Sequence, residues 1–253
     1  MKRIVILVSA AALLSGCALE PETLEHFDKY QLSTPARRIK VSAEFEDYEA
    51  FFRRDGRLDK VVYFDAAGKE SSREVYEYDS LGRTSRIRYI DQTVEGQRRY
   101  SYDGQFVRTE DYYGGNNELV YRWENENDGK NITRVRHYSE DIPDFEAVRT
   151  WDGLRMHETP VGSEEDDAEV EFTPWKKIKY LRNALDTVFV GYNEAGLPVS
   201  ISGAALNSIG DIGPSEFRDL RYEYTLDSRG NWTERKEFAG DSLTNSIKRV
   251  IKY

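Results

Sequence analysis

The sequence predicts an all-β domain, a curved antiparallel meander of consecutive hairpins forming an open sheet with little helix. Three observations predict it. Apolar and aromatic residues recur at period two from Val41 onward, as in Tyr76 and Tyr78, Ile87 and Tyr89, Tyr100 and Tyr102, and Leu220, Tyr222 and Tyr224, which is the spacing of half-buried strands. Asp or Asn followed closely by Gly punctuates these runs, for example at Asp55-Gly56, Asp79 to Gly82, Asp128-Gly129 and Asp227 to Gly230, and supplies the positive φ that tight hairpins require. The chain also carries 17 Tyr, 11 Phe and 4 Trp, far more large aromatics than a disordered chain holds.

The first element is a leader. Met1 to Gly16 opens with Lys2 and Arg3, runs apolar from Ile4 to Leu14, and ends in Leu14-Ser15-Gly16-Cys17. An apolar run of about eleven residues suits a signal-peptide core and is too short for a spanning helix. Leu-Ser-Gly-Cys resembles the lipobox of bacterial lipoproteins at all four positions. That resemblance implies cleavage before Cys17, diacylation of its sulfur and acylation of the new amino terminus, palmitate being the kind of chain attached. Two or three such chains anchor a protein stably where one does not. Ala18 in place of Asp implies, by the same resemblance, an outer-membrane lipoprotein facing the periplasm, with exposure at the cell surface left open. Cys17 is the only Cys, so no internal disulfide is available and stability rests on packing and pairing.

Residues 17–40 hold the lipidated Cys and a polar tether with Pro21 and Pro35, in which Thr23 to Leu32 fits a short amphipathic helix through Leu24, Phe27 and Gln31. Residues 41–253 form the meander, with about a dozen to sixteen strands between turn signals.

The turns carry a second resemblance. Tyr78-Asp79-Ser80-Leu81-Gly82-Arg83, preceded by Tyr76 and followed by Arg86, Ile87 and Tyr89, resembles a unit of the YD-repeat (Rhs-like) proteins. Phe64 to Lys69, Tyr192 to Leu197 and Tyr222 to Lys236 are looser variants, and Tyr102-Asp103-Gly104 and Trp151-Asp152-Gly153 keep the aromatic-Asp pair with a shortened turn. The resemblance implies hairpins stacked side by side into a curved sheet. In the large toxins of that family such sheets close into a shell around cargo, and this chain is too short for one.

Between Gly153 and Gly196 no Gly-bearing turn of this kind occurs, so the stretch reads as an insertion. It holds the acidic run Glu164 to Asp167 and Thr173-Pro174-Trp175. Residues 174–185 fit either a three-turn helix capped by Thr173, with Pro174 at its first position, or one more strand, the reading favoured by the surrounding sheet. A second insertion, Gly203 to Pro214, is rich in Gly, Ala and Ser and reads as a surface loop.

Chemistry is sparse. The net charge of −10, or −12 once Lys2 and Arg3 leave with the leader, excludes a nucleic-acid binder, whose affinity rests on clustered cations. Of the three His, none forms an HExxH pair, and no second Cys is available for a thiolate zinc site. No metal or cofactor is expected, and His137 reads as an ordinary sheet residue. A Ser-His-Asp triad assembles only in space and is not decided by sequence, but no GxSxG elbow is present. Basic and aromatic residues alternate at Arg86, Arg88 and Tyr89 and again at Arg134, Arg136 and Tyr138. These rows either form a binding face for sugars, carboxylates or phosphates or pair with acids on neighbouring strands.

An outer-membrane barrel is excluded at this stage, because Arg249 interrupts the face shared by Ile247, Ile251 and Tyr253, while Lys248 and Lys252 occupy the other. The expectation is therefore a soluble, non-catalytic binding or scaffold module, held to the membrane at Cys17 and presenting a sheet face or an unpaired edge strand to a protein or glycan partner in the envelope. The alternatives are a hydrolase of envelope polysaccharide or peptidoglycan using acids of the insertion, and an immunity or accessory protein for an Rhs-like toxin.

Overall fold

The computed structural model describes residues 30, 32, 34–42, 47–91, 95–162, 167–182, 187–203 and 219–253. Cys17, most of the expected helix Thr23 to Leu32, residues 164–166 of the acidic run and the loop after Gly203 lie outside them. Eighteen strands follow one another: β1 (Arg38–Ser42), β2 (Asp47–Phe52), β3 (Leu58–Phe64), β4 (Glu70–Tyr78), β5 (Thr84–Asp91), β6 (Glu95–Asp103), β7 (Phe106–Tyr113), β8 (Leu119–Asn127) and β9 (Ile132–Ser139) make the first half. The second half is β10 (Ile142–Asp152), β11 (Arg155–Pro160), β12 (Ala168–Phe172), β13 (Ile178–Arg182), β14 (Thr187–Tyr192), β15 (Pro198–Gly203), β16 (Asp219–Leu226), β17 (Trp232–Ala239) and β18 (Ser242–Lys252). Each pairs antiparallel with its sequence neighbours, and β1 also pairs with β18, Ile39 opposite Ile251 and Val41 opposite Arg249. The meander is thus a closed barrel and not an open sheet.

Closure depends on the end of the expected tether. Residues 38–40 begin β1 and join the two ends of the meander, and Tyr30, Ala36 and Ile39 are buried in the core. Ring closure also removes the edge strand that β-augmentation needs, since all eighteen strands have a partner on both sides.

Connections from even to odd strands gather at one rim, together with the start of β1 and the end of β18; connections from odd to even strands gather at the other. The first is called the near rim, and its turns repeat one local chemistry. In Asp79 to Arg83, Asp79 Oδ1 accepts the backbone N–H of Leu81 and of Arg83, both at 2.9 Å, and Gly82 takes φ +85°. Asn193 and Asp227 accept N–H groups at the same two offsets. Thr173 to Lys177 is built the same way, with Lys177 N–H donating to Thr173 Oγ1 at 3.1 Å and Lys176 at φ 60°. What reads as an insertion is therefore two further hairpins of the array, and Ile178–Arg182 is strand, with Pro174 and Trp175 in a turn. These extra strands, with β1, bring the total above the expected dozen to sixteen.

The aromatic before the turn Asp has its own task. A register shift at the end of each even strand, as between Glu77 and Tyr78 or Ser101 and Tyr102, swings that side chain onto the hairpin before it. Tyr78 donates to the carbonyl of Leu58 at 2.6 Å, Tyr102 to Thr84, Tyr192 to Ile178 and Tyr224 to Pro198, each at 2.8 Å, and Trp151 Nε1 to Ile132 at 2.8 Å. Every acceptor is the first residue of an odd strand, so each hairpin is laced to its neighbour. The basic residue after the turn then lies over the next aromatic: Arg57 over Tyr78 at 5.2 Å, Arg83 over Tyr102 at 4.2 Å and Lys177 over Tyr192 at 5.7 Å.

Registry assigns each side chain to a wall. One face carries the buried apolar residues, from Ile39 and Ala50 through Ile87, Val135, Met156, Val170 and Val188 to Leu220. Among the described residues they form four separate clusters along the ring and not one central core. Such clusters suit the inner wall of an 18-stranded ring, whose bore side chains do not fill. The opposite face is ionic. Arg38 pairs with Glu49 at 3.0 Å, Arg122 with Asp111 at 2.7 Å, Arg155 with Glu171 at 3.0 Å and Lys179 with Glu171 at 2.6 Å.

That arrangement reverses a bilayer-spanning barrel, which needs an apolar outer band about 25 Å tall and where a central Arg or Lys costs about 2–4 kcal/mol. The barrel exists, contrary to the expectation, but its outer wall faces water. The sequence argument misplaced Arg249, which is on the inner wall, 4 % exposed, 3.7 Å over the Trp232 ring and donating to the carbonyls of Trp232 and Tyr30. Burial lowers its guanidinium to about 9, which leaves it charged at neutral pH.

Candidate functional site

The basic rows singled out in the sequence lie on the outer wall and are engaged in cross-strand ion pairs. Arg86 and Arg88 both meet Glu77, at 2.5 and 3.3 Å. Arg134 and Arg136 share Glu126 and Glu146, with Arg136 at 2.7 and 3.0 Å, and Tyr138 donates to Glu124 at 3.2 Å. Tyr89 is one residue out of phase with Arg86 and Arg88 and stands on the inner wall, so the six residues do not share a face.

The inner wall from β2 to β10 carries a band of rings. Tyr48 and Tyr63 lie 5.9 Å apart across β2 and β3, and Tyr63 and Tyr76 donate to the two oxygens of Glu74 at 3.1 and 2.6 Å. Tyr89 meets Tyr112 edge-on at 6.3 Å, Tyr112 stacks on Tyr121 at 5.1 Å, Tyr121 lies 5.8 Å from His137, and His137 lies 4.5 Å from Trp123, which contacts Phe145 at 6.1 Å. Between Tyr89 and Tyr112 the register places Arg98, opposite both Ile87 and Tyr112, with Glu110 opposite Trp123. Arg98 Nε and Glu110 Oε1 are 3.5 Å apart. The rings of Tyr89, Tyr112 and Tyr121 are neither buried nor fully exposed.

Electrostatics in this band follow from burial. Desolvation raises the Glu110 carboxyl above the ordinary carboxylate range despite the pull of Arg98, and raises the phenols of Tyr89 and Tyr121. For Arg98, burial alone would lower the guanidinium, yet Tyr89 and Glu110 raise it. An Arg and a Glu set among tyrosine rings present donors and acceptors beside apolar ring faces, the composition of a site for a polar ligand with flat apolar surfaces.

Two other constellations are structural. His137 Nδ1 lies 2.5 Å from Asp144 Oδ1, and Ser139 Oγ donates to Asp144 Oδ2 at 2.6 Å. The hydroxyl thus sits on the carboxylate and not on the imidazole, the wrong order for a nucleophilic triad. Arg149 Nε donates to Glu158 at 2.8 Å, with side chains 0 % and 5 % exposed, a pair enclosed in the inner wall. No group of three or more His, Cys, Asp or Glu suited to a metal occurs among the described residues.

Arg98, Glu110 and Tyr112 did not stand out in the sequence. Arg98 shares its phase with Tyr100 and Tyr102, and a basic residue on an otherwise apolar face was the available signal.

No family model matches the sequence, and no curated protein matches it. Among solved structures the chain is similar to a porin-like protein from Bacteroides uniformis, 11 % identical, with a TM-score of 0.42 over 87 % of this chain and 99 % of that one. A porin-like protein from Bacteroides vulgatus is also 11 % identical, with a TM-score of 0.29 over 86 % and 98 % of the two chains. The Tc holotoxin pore of Photorhabdus luminescens is 9 % identical, with a TM-score of 0.25 over 79 % of this chain and 14 % of that one.

Proposed function

We propose that the chain is an envelope lipoprotein, anchored through acylated Cys17, whose YD-repeat-like barrel is a non-catalytic binding module for a glycan of the cell envelope. Leu14-Ser15-Gly16-Cys17 supports the anchor. The observation that carries the binding reading is the inner-wall band of Tyr89, Tyr112, Tyr121, His137 and Trp123 beside the Arg98–Glu110 pair. Tyrosine faces stack on the apolar faces of sugar rings while Arg98 and Glu110 engage hydroxyl or carboxylate groups. The outer-wall rows centred on Arg86 and Arg134 support this choice indirectly, because their charges are already neutralised by Glu77, Glu126 and Glu146.

Titration of the protein with soluble peptidoglycan fragments, followed by Trp fluorescence and calorimetry, tests the reading. Binding is expected, and Tyr121→Ala or Arg98→Gln is expected to weaken it about tenfold or more, while Arg86→Gln on the outer wall leaves it unchanged. Folded protein that binds no fragment, or that loses binding through Arg86 and not Tyr121, would overturn it.

A further inference from the structure

The two rims of the barrel carry opposite charge. Between strands at the near rim, Arg54, Arg57, Lys130, Lys176, Lys177 and Arg229 outweigh Asp55, Asp128 and Glu194, with the remaining turn charges Arg53, Arg83, Asp79 and Asp227 balancing. At the far rim the described connections hold Asp65, Glu118, Glu140, Asp141, Asp167 and Asp241 against Lys69 alone. The near rim also raises apolar tips into solvent: Leu81 is 76 % exposed, Trp175 60 % and Leu154 40 %.

The amino-terminal chain is fastened to this same rim. Thr34 N–H donates to Asn231 Oδ1, and Asn231 Nδ2 returns a bond to Thr34 O, both at 3.1 Å. Thr34 Oγ1 donates to the Arg229 carbonyl at 2.9 Å, and Arg249 holds the Tyr30 carbonyl. Only the residues from Cys17 to Tyr30 then separate the expected anchor from the barrel, so the near rim is the end presented to the bilayer.

The geometry points to the near rim as a docking surface for an anionic membrane, with Trp175, Leu81 and Leu154 entering the headgroup region and the basic turns meeting lipid phosphates. This inference rests on the anchor reading for its orientation. Trp is favoured at membrane interfaces, apolar tips bury about 5–10 Å into the headgroup boundary, and each Lys or Arg near an anionic surface contributes about 1 kcal/mol. The far rim also exposes apolar side chains, Ile142 at 67 % and Leu243 at 55 %, but they stand beside Glu140, Asp141 and Asp241, which anionic lipid repels.

The test uses the mature chain carrying Cys17→Ser, which cannot be acylated, in co-sedimentation with vesicles of phosphatidylcholine alone or mixed with phosphatidylglycerol. Docking predicts binding to the mixed vesicles that weakens with salt and little binding to phosphatidylcholine. Arg54→Glu and Lys130→Glu, both at exposed positions, should each reduce the binding constant about fivefold or more, and Trp175→Ser should reduce it too. Leu243→Ser at the far rim should leave it unchanged. Equal affinity for both vesicles, no binding to either, or loss through Leu243→Ser in place of Trp175→Ser would overturn the proposal. Acylation of Cys17 is read separately from the mass of the native chain, so failure of docking and failure of the anchor are distinguishable.

Discussion

Gly82 and Lys176 occupy equivalent places in two near-rim turns, at φ +85° and +60°, and carry opposite consequences. A Cβ at Gly82 would lie 2.6 Å from Arg57 Nη1 and 2.8 Å from its Cζ, and an L side chain in the left-handed region costs about 1–2 kcal/mol. Gly82→Ala should therefore destabilise by about 1–2 kcal/mol and displace Arg57 from the Tyr78 ring. Lys176 already bears that strain, so Lys176→Gly should stabilise by up to about 1 kcal/mol, less the chain entropy that Gly loses on folding. Denaturant midpoints measured at constant slope check both signs, and a stability loss from Lys176→Gly would contradict the account. The same pair shows what the residues disclosed. Asp79 and Gly82 announce their turn through the residue types it needs, whereas Thr173 and Lys176 build the same turn from a hydroxyl and a strained Lys, and two hairpins passed for an insertion. Arg98 was hidden for a related reason, since a lone charge on an apolar face looks like an interruption until its partner Glu110 is placed on the neighbouring strand.

At the scale of the element, the hairpin turns make the fold acid-sensitive. The backbone N–H groups of Asn131 and Lys130 hold Asp128 below the ordinary carboxylate range, the Tyr253 hydroxyl does the same for Asp227, and Asp79 is lowered because Arg83 and Leu81 outweigh its burial. On the outer wall Lys179 and Arg155 lower Glu171, and Arg134 and Arg136 lower Glu146. A carboxylate whose native pKa lies below its unfolded value contributes stability that is fully present above the unfolded value and is lost as pH falls through the native one. Thermal stability should thus be flat through neutral pH and fall below about pH 4. Asp128→Ala, which removes one such acceptor, should be less stable than the parent at pH 7 and should converge with it in acid. A gap that persists or widens on acidification would contradict this. The alternation of Arg and Tyr at 86–89 and 134–138 was plain in the sequence, but its meaning was not. Period two fixes which residues share a face, and only the register between strands, Glu77 opposite Arg86 and Glu124 opposite Arg136, shows that the charges meet partners.

For the whole molecule, strand content and antiparallel order follow from local pattern, and closure does not. Each hairpin is specified by residues a few positions apart, and that specification is the same in an open sheet and in a ring. Closure instead requires Arg38–Ser42 to pair with Ser242–Lys252 from the other end of the chain, and no local signal encodes the meeting. Turn signals from both rims also interleave in the sequence: Gly68 belongs to the far rim between Gly56 and Gly82 of the near one, which disguises a regular two-strand repeat as an irregular array. The ionic outer wall, the inner-wall ring band and the opposed rims exist as such only in the ring. Lys40 and Val250 face each other on the outer wall across β1 and β18, and both are exposed. Directly opposed antiparallel residues lie about 4.5–5.5 Å apart, within the span of a disulfide. In a Cys17→Ser background, Lys40→Cys with Val250→Cys should oxidise at high dilution to an intramolecularly linked monomer that migrates faster without reductant. An open meander would hold these strands at opposite ends of the sheet, and oxidation yielding free thiols or only linked oligomers would contradict the closed barrel.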